Sequence, residues 1–133
     1  GIHCIDLQHR RLAELINVLG EDLKNGRDES RLAESLEDLV SFATLHFETE
    51  ERLLATYGVP TAAAHAEEHR RLLDDVRSMA VSIDSSSMML TMRYLQEWLL
   101  RHISSTDRAM VKELRARRYQ EPTPAQDSRQ RTA

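Results

Sequence analysis

Five of the six histidines in this 133-residue chain stand where a helical pattern calls for leucine. His9, His46, His65, His69 and His102 keep register with apolar residues spaced three and four apart. Glu50 shares that register, and only His3 falls outside it. One histidine on such a stripe reads as a satisfied core residue. Five of them with a carboxylate do not, because each buried polar group left unpaired costs several kcal/mol against a total stability of about 5–15 kcal/mol. Coordination of metal by these groups removes that cost.

The spacing carries the geometry. His46 and Glu50 are four residues apart, as are His65 and His69, so each pair offers two donors from one helix face. Asp107 lies five residues beyond His102, about 140° around a regular helix. Two readings stand beside each other. Either Asp107 is exposed on a regular helix, or the register slips by one residue between 102 and 107, as in a π-type bulge. The slip restarts the apolar stripe at Asp107, Met110 and Leu114. Five imidazoles and one or two carboxylates would leave a single ion no open position. They suit two ions sharing bridging carboxylates, and the donor types admit Fe, Zn, Mn, Co or Cu.

Four amphipathic segments must position these groups. Their stripes run through His9, Leu12, Ile16, Leu19 and Leu23; then Leu32, Leu36, Leu39, Ala43, His46, Glu50, Leu53 and Tyr57; then Ala62, His65, His69, Leu72, Val76, Met79 and Ile83; then Met88, Met92, Leu95, Leu99 and His102. Asn25-Gly26, Gly58-Val59-Pro60 and Asp84-Ser85-Ser86-Ser87 separate them. No strand pattern competes. The expected fold is all-α: an antiparallel up-down four-helix bundle with a di-metal site in its core. It spans residues 1–117, followed by a flexible polar tail or linker stub over 118–133.

Bulk composition excludes several classes. Four glycines and three prolines do not suit a turn-rich all-β chain. A net charge of −4 argues against nucleic acid as a partner. The single cysteine, Cys4, allows no internal disulfide and no Cys-based zinc or haem motif. No apolar run reaches the roughly 18 residues of a membrane span, and a cytoplasmic location is expected. The first residue is Gly1 rather than Met. With the polar stub, this suggests a piece of a longer polypeptide, which in a sensing role would carry a fused signalling domain.

The chain resembles the hemerythrins, in particular the bacterial hemerythrin-like domains. The matching stretches are Ile5 to Leu12 (IDLQHRRL) with Asn17, His46 to Glu51 (HFETEE), His65 to His69 (HAEEH), and Trp98 to Ile103 (WLLRHI) followed by Asp107. The resemblance covers residues 1 to about 115. It implies two non-haem iron ions (Fe2+/Fe3+) with an oxo or hydroxo bridge. His65, His69 and His102 would hold one iron, and His9 and His46 the other, which keeps an open position. Glu50 and Asp107 would bridge the pair. The implied activity is reversible binding of dioxygen, with Leu12, Phe47, Trp98, Leu99 and Ile103 lining the O2 pocket. Leu72 and Met110 depart from the family's usual aromatic and tyrosine, which bears on pocket volume and leaves the ligands untouched.

Apolar residues beside the presumed ligands favour binding over turnover, since a dry wall without an acid has no ready proton for O–O cleavage. The leading expectation is therefore a non-enzymatic O2-binding module for carriage, storage or sensing. The alternatives are a di-iron enzyme, such as a peroxidase or NO-handling protein, and a structural bundle holding zinc.

Overall fold

The computed structural model describes residues 2–79, 85–117 and 119, apart from the side chains of Ser85, Ser87 and Ile103. The tail expected over 118–133 lies outside the described residues, Tyr119 excepted.

Helix α1 spans His3–Lys24, α2 Glu29–Thr56, α3 Ala62–Met79 and α4 Ser85–Arg101. The last helix continues without a break through a π-helical turn, His102–Asp107, into α5, Arg108–Ala116. No strand occurs among the described residues. Helix α1 packs against α2 and α4, and α3 against the same two helices, closing a four-membered ring. Neighbours run antiparallel. Asp22 meets Ser35 near one end of the α1–α2 pair and Gln8 meets Thr49 near the other. Asp75 meets Tyr94 and Glu68 approaches Thr106 along α3 and α4. The expected bundle is the observed one.

Both described inter-helix turns stop for a local reason. After α1, Gly26 takes φ 65° while Arg27 N–H donates to the Asp22 carbonyl at 3.0 Å and Gly26 N–H to that of Leu23 at 3.2 Å. After α2, Gly58 takes φ 62°, with Val59 N–H to the Leu54 carbonyl at 2.9 Å and Gly58 N–H to that of Ala55 at 3.1 Å. These are paired C-terminal closures that need a left-handed residue, which glycine supplies without strain. Asp28 caps α2 by accepting from Arg31 N–H at 3.0 Å. The serine run of the third expected break belongs to α4, which begins at Ser85, while Ile83 and Asp84 lie outside the described residues. Serine costs only a few tenths of a kcal/mol within a helix, so the run joins the first turn.

Two apolar clusters fill the interior. One holds Leu15, Ile16, Leu19, Leu32, Leu36, Val76 and Met88 among others. The other, at the opposite end, holds Ile2, Ile5, Leu54, Val59, Met110 and Leu114. Tyr119 packs against this second cluster, edge-on to Tyr57 at 5.5 Å. No helix among the described residues is long and apolar enough to cross a membrane.

Candidate metal centre

The polar stripe residues lie between the two apolar clusters. His46, Glu50, His65, His69, His102 and Asp107 are buried, all at or below 5% exposure, and His9 is nearly so, its side chain 12% exposed. Each helix of the ring contributes: α1 brings His9, α2 brings His46 and Glu50, and α3 brings His65 and His69. The π turn brings His102 and Asp107.

That π turn resolves the Asp107 question. Its wider winding, with bonds running i to i+5, turns both Asp107 and His102 inward. Asp107 is 3% exposed, and Met110 and Leu114 after it are buried in the second apolar cluster. The wide turn crowds the carbonyl of Arg101, which accepts from Ser105 Oγ at 2.7 Å and Ser104 Oγ at 3.3 Å. Serine donors to upstream carbonyls suit such a distortion.

The donors converge as two groups that share Glu50. Glu50, His65, His69 and His102 form one, and His9, His46, Glu50 and Asp107 the other, with ligand-capable atoms within 4.8 Å of one another in each. Glu50 sits between them. Its Oε1 is 2.8 Å from His46 Nε2, while its Oε2 lies 3.0, 3.1 and 3.3 Å from Nε2 of His65, His69 and His102. Asp107 also reaches both groups, with Oδ2 2.5 Å from His9 Nε2 and Oδ1 2.7 Å from His102 Nε2.

These atoms suit metal better than one another. Nε2 of His9, His46 and His69, Oε1 of Glu50 and both Asp107 oxygens are buried without a hydrogen-bond partner among the described residues. They are close to neighbours of opposite charge yet badly aligned for hydrogen bonds, because all point towards common points. A nitrogen-rich set with two carboxylates is a fitting donor set for divalent or trivalent transition metal.

A family model described as the Hemerythrin HHE cation binding domain matches residues 1–114. The chain belongs to the hemerythrin family. It is 32% identical over 117 residues to a Bacteriohemerythrin of Pseudomonas paraeruginosa, across 86% of this chain and 76% of that protein. A Bacteriohemerythrin of Stenotrophomonas maltophilia is 31% identical over 120 residues, across 87% and 76%. A Hemerythrin-like protein of Naegleria gruberi is 27% identical over 107 residues, across 80% of each.

For a hemerythrin-family domain, the groups around the imidazoles matter as much as the donors. Gln8 Oε1 lies 2.8 Å from His46 Nδ1, and Gln8 Nε2 donates to Thr49 Oγ1 at 3.2 Å. Glu68 approaches His102 Nδ1 at 3.6 Å, and Glu51 approaches His69 Nδ1 at 4.0 Å. A hydrogen-bonded partner on the far ring nitrogen, as Gln8 is to His46, sets tautomer and orientation, whereas the two carboxylates lie near their rings without a hydrogen bond. Each directly adjoins a stripe residue in sequence (Gln8-His9, Glu50-Glu51, Glu68-His69) but reaches across to a different helix or turn, so the sequence reading missed all three. Aromatic rings complete the enclosure. Phe47 stacks on His69 at 4.0 Å and 11°, and Trp98 on His102 at 4.4 Å and 17°.

Without metal the cluster holds charge. Burial opposes protonation of His9 and His102, but the Asp107 and Glu50 carboxylates outweigh it and push them up to about 9 and about 10. Burial would also raise Glu50, yet the surrounding imidazoles hold its carboxyl well below the usual range. His69 goes the other way, as burial there exceeds the pull of Glu50.

Four of the expected pocket residues, Leu12, Phe47, Trp98 and Leu99, line one cavity together with Leu39 and Leu72. The Ile103 side chain lies outside the described residues. The void is about 20 Å³, above the roughly 10–15 Å³ one water-sized molecule needs. Among the described residues, no charged or hydroxyl side chain lines it.

Proposed function

We propose that this domain binds dioxygen reversibly at a centre of two non-haem iron ions, for carriage, storage or sensing. His65, His69 and His102 would hold one iron and His9 and His46 the other, with Glu50 and Asp107 reaching both. The ligand group with fewer imidazoles leaves room for an incoming molecule. Two ferrous ions held there would supply the two electrons that dioxygen binding draws on. Residues 1–117 would form the working unit.

The observation that carries this reading is the apolar void lined by Leu12, Phe47, Trp98 and Leu99, two of whose walls, Phe47 and Trp98, stack on the donor imidazoles of His69 and His102. Phe47 and Trp98 hold the imidazole planes and keep water from them. Walls of this kind admit a small apolar gas and offer no proton to a bound one, which favours binding over turnover. Gln8 keeps the His46 imidazole oriented, and the Glu51 and Glu68 carboxylates add negative charge near His69 and His102.

Anaerobically reduced, iron-loaded protein should develop near-UV and visible charge-transfer absorption on exposure to O2 and lose it when O2 is removed. Direct oxidation with no reversible band would overturn the proposal.

A further inference from the structure

Trp98 faces two environments. It stacks on His102 at 4.4 Å, and it also lines an open groove of about 530 Å³ between α3 and α4. Glu68, Leu72, Asp75 and Tyr94 share that groove. Phe47, the other ring stacked on an imidazole, is 2% exposed and does not line it. The groove therefore touches His102 twice, through the indole and through the Glu68 carboxylate at 3.6 Å from Nδ1.

Its charge is specific. Glu67 is taken up by Arg70 and by Arg71, the groove's own cation. Glu68 and Asp75 carry no arginine partner among the described residues. Asp75 accepts from the Tyr94 hydroxyl at 2.8 Å, a bond that leaves its charge in place. Seven residues apart on α3, the two carboxylates stand about 10 Å apart along the helix, with Leu72 between them and two aromatic side chains opposite. An acidic, aromatic-walled slot of this length suits a planar cation, which pairs with the carboxylates and stacks on the rings.

We propose that this groove docks a planar cationic one-electron reductant and that Trp98 passes its electron to the His102 side of the centre. Each docked molecule gives up one electron and leaves oxidised by one unit. Two such events return both irons from ferric to ferrous, the state that binds O2. The electron route rests on the di-iron reading above, whereas the docking does not.

Oxidised methyl viologen, a dication of two linked aromatic rings, tests the docking on the full chain with and without iron. The chain's one tryptophan is Trp98, so its fluorescence reports the groove. Saturable quenching is expected, weakened roughly tenfold by Asp75→Lys and reduced by added salt. Quenching that does not saturate, or that Asp75→Lys leaves unchanged, overturns the docking. Reduction of ferric protein by the methyl viologen radical cation tests the route. It should slow roughly tenfold in Asp75→Lys and also in Trp98→Leu at equal iron content, while reduction of Asp75→Lys by anionic dithionite does not slow. Normal quenching of the unsubstituted chain together with an unchanged reduction rate in Trp98→Leu overturns the relay. Absence of bound iron overturns the di-iron reading and the relay with it, and the quenching still decides the groove.

Discussion

Helix α2 crosses two different interiors. From Leu32 to Ala43 it buries Leu32, Leu36 and Leu39 against Leu19, Val76 and Met88. One turn further on, the same face buries His46 and Glu50. The first half is held by removal of apolar surface from water, which needs no partner beyond the chain. The second half is held by groups whose best partner is a metal ion. Fold and centre thus share one helical stripe and separate cleanly in what stabilises them.

Truncations in the two interiors that α2 crosses break that comparison most directly. Glu50→Ala in iron-loaded protein should cost about 3–5 kcal/mol, since it leaves a buried charge cluster uncompensated, and should abolish the gain in thermal stability on adding iron. Leu19→Ala, with Leu19 fully buried, should cost about 2–5 kcal/mol, equally with and without iron. Melting curves at both sites in both metal states decide it. Equal iron dependence at the two sites would contradict the separation.

Orientation of the ligands comes next in size. Gln8→Leu removes the partner of His46 Nδ1 and should weaken metal affinity roughly 10–100-fold with the helix content by circular dichroism unchanged. Competition with a chelator measures it.

pH should separate the metal-free from the loaded centre. In the metal-free chain, His9 and His102 are raised to about 9 and about 10 from 6.5. Their stabilisation is therefore full below pH 6.5 and lost as pH rises through 9 and 10. His69 is lowered, so below pH 6.5 the unfolded state takes up the extra proton and stability falls again. Denaturant midpoints of metal-free protein should peak near pH 6.5 and fall on both sides. Metal loading replaces those protons, so the loaded protein should lose the alkaline fall and release metal in acid.

The smallest effect is expected where α1 meets α4. A Cβ on Gly20 would stand 3.2 Å from the Met92 sulfur, the end of a flexible side chain. Gly20→Ala gains about 0.5–1 kcal/mol of helix propensity and spends part of it moving Met92. A net change within about 0.5 kcal/mol is expected in both metal states by urea denaturation.

Much of this was legible from spacing. The two i, i+4 pairs, the glycine stops and the four stripes rest on local pattern, and over the described residues the structure repeats them with one drift. Asp107 was not decidable, because a helical wheel assumes a constant step and the π turn breaks it. The α2 stripe drifts for a related reason: Leu54 is fully buried and Leu53 only partly, since a regular helix does not keep a strict seven-residue repeat over its whole length. Asp22, buried with Ser35 donating to it and Arg31 at 3.3 Å, gave no sequence signal. Its partners come from the next helix and become visible only in the fold. The same holds for Gln8, Glu51 and Glu68, whose neighbours in sequence point to one cluster residue while their own side chains serve another.

Metal analysis of protein purified without added metal tests the central claim most directly. Two irons per chain, one for each donor group sharing Glu50, are expected, with oxo-bridge absorption bands. Zinc in their place, or a folded chain with neither metal, would contradict it.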